Sequence, residues 1–396
     1  MKMEVDWTQL PPELVEAISK KLTVFTDFIY FRSVCRNWRS SIPKTPNHLP
    51  PQLPWLMLPQ SQPHQSRRAF FNLSTYKLHF LNLPEASHRK RHCGSSHGWL
   101  IILDETPTVL LLNPLTRVKI HLPPLVTFPN VVGFSYSDIG REYTLSSSLG
   151  NRYNLNLRQM RDVFIKKVVL SSSPAKDSNF IAVAILNQTG DLAYCKNGGQ
   201  CWTIIEGAQS YSEDVIYKKG LFYAVGKGGS MAVCDVSGEV SRVSVIQMPR
   251  QIGGDLQYLV SSEDELFLVT RYLGLEFDLE PYHPHFIYRT IKFEVFRVNW
   301  SGPQWEIVRS LGDKVLFIGE NSSLALSASD FSGCVGDCIY YTDDYSETNY
   351  DDVYGENDLG IFKLQDGSIE PLPSYPRNLH YQLQWPPPLW VTPNPC

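Results

Sequence analysis

Carboxylates crowd one stretch of the chain: between residues 337 and 358 stand Asp337, Asp343, Asp344, Glu347, Asp351, Asp352, Glu356 and Asp358, interleaved with tyrosines and with no lysine or arginine. A pair such as Asp343 with Asp351 has the residue types of a general acid and its base, and would suit glycoside hydrolysis if a fold held the two carboxyls across a sugar. A cation or a basic peptide is the other ligand that such charge attracts. The spacing departs from a calcium loop, which needs a glycine after the third ligand, so the expectation is a solvated insertion. In a chain with 40 acidic residues such pairs also arise by chance.

Other constellations are weaker. Ser95, Ser96 and His97 place hydroxyls beside an imidazole, but no glycine-flanked elbow presents either serine, and a turn histidine is expected. Gly226-Lys-Gly-Gly lacks the spacing of a phosphate loop and reads as a hairpin turn. The basic run His88-Arg-Lys-Arg-His92 is short for a nuclear address or a phosphate site and reads as a solvated loop. Cys334 and Cys338 are the one close pair among eight cysteines, with no histidine near to complete a zinc site, so reduced thiols are expected. No catalytic residue, cofactor or metal follows from these residues, and the chain reads as a non-enzyme.

The elements that would carry any of these groups change character along the chain. With 43% hydrophobic and 19% charged residues the 396-residue chain has ample material for a core, and its length suits a small module plus a large domain. Residues 11 to 41 read as helices, since Leu14, Ala17, Ile18 and Leu22 recur at helical spacing. Pro11 and Pro12 suit a first turn, Thr26 or Asp27 could cap a second helix, and Cys35 to Ser41 form a short third. Seven prolines between residues 43 and 63 forbid regular helix and mark a boundary. Beyond it come short apolar runs, such as Trp99-Leu-Ile-Ile-Leu and Leu221-Phe-Tyr-Ala-Val, separated by Gly, Asp and Ser turns.

An imperfect repeat emerges: units at 98–124, 180–205, 220–246, 265–308 and 338–373 each hold an apolar strand, a turn, a second strand and a polar-edged third. Such units fit a β-propeller, in which no blade buries its faces alone, with six or seven blades at about 45 to 50 residues each. A two-sheet β assembly is the competitor. The fold class is therefore α+β multidomain: a small N-terminal all-α unit of three helices at 1–45, a proline-rich linker at 46–63, and a large all-β domain at 64–393. The first strand could begin near residue 54, and Pro54-Trp-Leu-Met-Leu-Pro and Pro388-Leu-Trp-Val-Thr-Pro are matching segments expected to close the ring.

A net charge of −4 offers no field for phosphate backbones or anionic lipid, so nucleic acid and membrane are not expected partners. The start carries no apolar run resembling a signal peptide, and no stretch approaches the roughly 18 apolar residues that span a bilayer. Cytoplasm or nucleus is the expected location.

The helical unit has a surplus of apolar side chains: Leu10, Leu14, Val15, Ile18, Leu22, Phe25, Phe28, Ile29, Phe31, Val34 and Trp38 are more than three short helices can shelter, so some must face another protein. The run from Leu10-Pro-Pro-Glu-Leu through Ile18, Leu22 and Asp27 to Val34-Cys-Arg-Asn-Trp-Arg39 resembles an F-box. Behind it, Cys93-Gly-Ser-Ser-His-Gly-Trp-Leu100, Leu112-Asn-Pro-Leu-Thr-Arg117, His121-Leu-Pro-Pro-Leu125, Cys338-Ile-Tyr-Tyr-Thr-Asp-Asp344 and Pro387-Pro-Leu-Trp-Val-Thr-Pro393 resemble a plant-specific domain of β-propeller type that follows F-boxes.

The resemblance implies an adaptor, Skp1, and through it a cullin, with the β domain holding a target protein for ubiquitination. The alternative is an F-box protein that acts with Skp1 outside a ligase, or regulates a partner by binding alone. Leu10, Pro11, Leu14, Ile18, Leu22, Val34 and Trp38 are expected to form or brace the adaptor surface, with Arg36 and Arg39 as rim charges.

Overall fold

Three short helices at the N-terminus share one small core. In the computed structural model, which describes residues 6–46, 48–59, 66–87, 90–147, 150–248, 251–278, 285–331, 333–344, 358–375 and 387–395, they are α1 (Pro12–Ser19), α2 (Phe25–Ser33) and α3 (Arg36–Ser41). Proline occupies the first position of α1, where its missing N–H costs no helical bond. The second helix starts at Phe25, one residue before the expected cap. Neither Thr26 nor Asp27 caps it, because the side chain of Gln52 in the linker accepts from the Phe25 N–H at 2.9 Å. The third begins at Arg36, with the Cys35 sulfur accepting from the Trp38 N–H. Val15, Phe28, Trp38 and Ile42 form the buried centre, and Leu10, Leu22, Phe31 and Cys35 pack around it.

Among the described residues beyond the linker the strands pair antiparallel, with one exception. Blade 1 holds Trp55–Met57, Arg67–Asn72 and Lys77–Asn82, and its innermost strand, Leu389–Val391, comes from the other end of the chain. Blade 2 runs outward through Arg91–Ser96, Trp99–Leu103, Val109–Leu112 and Lys119–Leu122. Blade 3 holds Ile165–Leu170, Ile181–Leu186, Leu192–Lys196 and Thr203–Ile204, and blade 4 holds Asp214–Lys218, Leu221–Val225, Met231–Asp235 and Arg242–Ile246. Blade 5 holds Leu256–Ser262, Glu265–Asp278, His285–Asn299 and Gln304–Val308. Blade 6 orders Leu324–Ser327, Lys314–Ile318, Cys338–Tyr341, Gly360–Lys363 and Ile369–Glu370, and its second and third strands are parallel.

Neighbouring inner strands lie directly against one another from blade 1 round to blade 6, and Phe317 of blade 6 meets Trp390 of blade 1 edge-on at 5.2 Å. Six sheets therefore make the ring, within the six or seven blades expected. A seventh sheet, Val131–Phe134, Tyr143–Ser146 and Arg152–Leu155, has no place in it, because the inner strands of blades 2 and 3 already touch. With α4 (Leu157–Val163), started by an Asn156/Gln159 capping box, it packs outside that joint through Phe128, Tyr143, Met160 and Phe164.

The two matching apolar segments do pair. Trp55, Leu56 and Met57 face Val391, Trp390 and Leu389 in antiparallel register, so the first and last strands of the ring share one blade. Aromatic residues at the outer edge pin adjacent blades: the Trp202 indole N–H donates to the Pro123 carbonyl, and that of Trp305 to Gly229, each at 2.8 Å. Gly229 holds φ +84°, and a Cβ there would stand 3.1 Å from that indole nitrogen, so the turn and the pin together demand glycine.

Candidate adaptor-docking site

The helical unit divides its apolar side chains between an inside and an outside. Trp38 lies inside, packed against Phe31 with ring centroids 4.4 Å apart and the rings tilted by 37°, its indole N–H donating to the Trp7 carbonyl at 3.1 Å. Asn37 donates to the carbonyls of Thr8 and Leu10, and Arg32 to those of Ile42 and Pro43, which ties the chain on either side of the helices to α2 and α3. Leu10 and Leu22 are half-buried around this core.

Outside are Leu14 at 51%, Ile18 at 41% and Val34 at 54% exposure, with Pro11 exposed at the entry to α1. Leu14 and Ile18 lie one turn apart on one face of α1. Sequence reasoning did not place Trp7, Val24 or Tyr30 among the candidates, yet they too are exposed, and Ile29 of α2 joins them. Their signal was available: the core holds one residue from α1, Val15, and the remaining apolar positions of α1 and α2 had to go elsewhere. The seven expected residues thus fall into four exposed ones, two that brace them and one buried tryptophan.

The linker is fixed to this unit. His48 bonds the Ser19 carbonyl at 3.0 Å, and Gln52 also donates to the Thr23 carbonyl at 2.9 Å. Leu53 and Trp55 follow at once into the propeller core, so few free bonds separate the helices from the ring.

Several of the described carboxylates weighed for catalysis take part in a buried network around Arg271. Arg271, fully buried, donates to Asp344 at 2.9 Å and Asp358 at 2.8 Å, and to the Thr342 carbonyl. Asp358 also accepts from the Thr290 N–H and hydroxyl, and Asp343 accepts from the Tyr288 hydroxyl and the Asp358 N–H. Burial pushes the Asp343 carboxyl up to about 6 and raises that of Asp344 against the pull of Arg271. Burial opposes the Arg271 charge, but Tyr258, Asp344 and Asp358 hold it on. Glu347, Asp351, Asp352 and Glu356 lie outside the described residues, and with them the Asp343–Asp351 pair.

Ser95 donates to the Trp390 carbonyl and Ser96 accepts from the Leu170 N–H, so neither addresses His97. His97 sits at φ +53° in the hairpin turn of blade 2, bonded to the Leu170 carbonyl, and burial lowers its pKa. Gly226-Lys-Gly-Gly forms the expected hairpin turn of blade 4. Cys334 and Cys338 are free thiols.

The basic run needs a correction. His88 and Arg89 lie outside the described residues, and Lys90 pairs with Asp104 at 2.9 Å, but Arg91 and His92 are no solvated loop. They are 3% and 1% exposed on the inner strand of blade 2, where every residue is buried whatever its polarity.

A three-helix unit with an exposed apolar surface, held by a short linker ahead of a six-bladed ring, defines an F-box protein with a propeller. Residues 7–49 match the F-box domain and residues 70–363 the KIB1-4 beta-propeller. The chain belongs to the family of F-box proteins that carry this propeller. It is 31% identical to F-box protein SKIP23 of Arabidopsis thaliana, over 98% of this chain and 96% of that one. It is 28% identical to F-box protein At2g17036 of the same plant, over 98% and 95% of the two chains.

Proposed function

We propose that this chain is the substrate-receptor subunit of a Skp1–cullin–F-box ubiquitin ligase, working in the cytoplasm or nucleus. The helices dock on Skp1, the propeller holds a target protein, and other subunits perform the transfer. This chain supplies proximity and no reacting group: holding a target beside a charged conjugating enzyme raises its effective concentration.

The observation that carries the reading is the exposed apolar set Leu14, Ile18, Val24, Ile29, Tyr30 and Val34, between 41% and 65% exposed on a unit whose core uses other residues. Full burial is worth about 1.5–3 kcal/mol for each such side chain, and with about half of each left to bury the six yield a gross gain of about 5–9 kcal/mol, against the roughly 4–15 that association costs. Net affinity then depends on most of them, with Leu10, Leu22 and Trp38 fixing the helices beneath and Arg36 and Arg39 at the rim. Membership of the F-box family supports the same partner.

The test is co-purification of the full-length chain with Skp1 and cullin, with and without the double substitution Ile18→Asp and Val34→Asp. Both side chains are exposed, so the fold should survive while recovered Skp1 falls at least about tenfold, the equivalent of 1.4 kcal/mol. Skp1 recovered at the wild-type level would refute the docking surface. Skp1 without cullin would leave an adaptor-bound protein outside a ligase.

A further inference from the structure

Between the helical unit and the ring lies a groove of about 800 Å³, walled on one side by residues 23–27 and the linker and on the other by blades 1, 5 and 6. Its size lies within the roughly 300–1,000 Å³ of ligand sites. Phe25, Leu53 and Leu326 supply buried apolar surface to it.

Two independent features of this groove select its occupant. Four exposed carboxylates line it, Asp27 from α2, Glu263 from blade 5, and Asp313 and Asp330 beside the first two strands of blade 6, and none of them forms an ion pair among the described residues. The one cation of the lining, Lys314, is held by Glu265 at 3.2 Å. An acidic or phosphorylated ligand would be repelled here. Secondly, two buried donors of the wall have no partner among the described residues. Asn72 is 6% exposed and Trp55 7%, and they stand opposite one another in register in blade 1. The Asn72 carboxamide oxygen accepts from the Ser74 N–H at 2.9 Å, which leaves its NH2 group over, and the Trp55 indole is stacked on His79 with its N–H unused. Both N–H groups keep accessible surface and both residues line the groove, so an acceptor brought by an occupant can meet them there. A bare polyamine answers the carboxylates but offers these donors no acceptor. A peptide answers both, with its basic side chains and its backbone carbonyls.

We propose that the groove binds an extended protein segment bearing two or more lysine or arginine side chains, which meet Asp27, Glu263, Asp313 and Asp330 while its backbone carbonyls accept from Asn72 and Trp55. That the segment belongs to the target rests on the receptor reading, whereas the binding itself does not. A target held here lies on the adaptor side of the ring, between the helices and the blades.

The test uses the full-length chain, alone and bound to Skp1, and the fluorescence anisotropy of a labelled peptide of three glycine–lysine repeats with blocked ends. The same peptide with glutamine for lysine should bind at least about tenfold more weakly, and Glu263→Gln with Asp330→Asn should weaken the lysine peptide at least about tenfold. Trp55→Phe keeps a ring on His79 and removes the donor. It should weaken the peptide about threefold to tenfold and leave the affinity for spermine, read by calorimetry, unchanged. Equal binding of the two peptides, or a lysine peptide indifferent to the double charge substitution, would overturn the site. So would a peptide affinity unchanged by Trp55→Phe, or equal losses of peptide and spermine. Peptide binding should persist in the Skp1 complex, and its loss there would give the groove to the adaptor and overturn the assignment to a target. A chain that binds the peptide but recovers no Skp1 keeps the groove and loses the receptor reading. Should Trp55→Phe fail to fold, Asn72→Asp, which still accepts from Ser74 but no longer donates, takes its place, and the ratio of peptide to spermine affinity decides.

Discussion

Glu320 stands 3.6 Å from Arg91 near the propeller axis, 13% exposed, and burial raises its carboxyl to about 7 while the Arg91 charge pulls the other way. In the unfolded chain the same group titrates near 4.3. Between those values the folded protein holds a proton that the unfolded chain has released, so the folded state binds more protons and its stability falls as pH rises through the window. Above the folded value both forms are ionised and the slope vanishes. Glu320→Gln keeps the shape and removes this titration. From about pH 5 to about pH 7.5 the wild type should therefore lose of order 1–3 kcal/mol relative to the variant, read from urea unfolding at each pH. Parallel pH dependences for the two proteins would show that Arg91 keeps Glu320 ionised throughout.

Among elements, the hairpin of blade 5 is the outlier, with strands of 14 and 15 residues that outrun the rest of the ring. What braces it against blade 6 is the Arg271 network, since Asp344 and Asp358 belong to that blade's connections. Arg271→Met would fill much of the volume but leave two buried carboxylates without their counter-charge, and breaking such a pair costs about 3–5 kcal/mol. The expected outcome is a fall of that size in unfolding free energy by urea titration, with part of it recovered when Asp358→Asn is added. A loss under about 1 kcal/mol would place the brace elsewhere.

The same elements show where the sequence was readable. The second strands of blades, such as Trp99–Leu103 and Leu221–Val225, announced themselves by apolar runs between turn residues. The inner strands other than Leu389–Val391 did not: Arg91–Ser96 spells Arg-His-Cys-Gly-Ser-Ser and is wholly buried, because strands crowded at a propeller axis exclude water without needing large apolar side chains. Four of the repeat units were consequently begun one strand late, at Gly98, Phe180, Gly220 and Glu265. The extra sheet at 131–155 escaped notice because its strands are short and rich in polar residues, and the start of α2 because its cap, Gln52, lies 27 residues downstream. In the docking unit, helical spacing found the Leu14–Ile18 face but could not say that Val15, beside it, was the residue turned inward.

For the whole molecule, stability rests on closing the ring. The strand Leu389–Val391 completes blade 1 from the inside, and its three side chains are 1–2% exposed. Losing three such residues at about 1.5–3 kcal/mol each removes about 5–9 kcal/mol, comparable with the whole net stability of an ordinary protein, about 5–15. The cost does not stay local, because Trp390 packs on Phe317 and Tyr340 of blade 6, so the seam between the first and last blades opens with it. A chain ending at residue 385 should accordingly melt at least about 10 °C below the full-length protein, or fail to fold. A synthetic peptide of residues 386–396 should restore part of the loss by adding its strand to the exposed edge left at Trp55–Met57. If the shortened chain melts where the complete one does, the seam is held by blade-to-blade packing, and the terminal strand is a passenger in it.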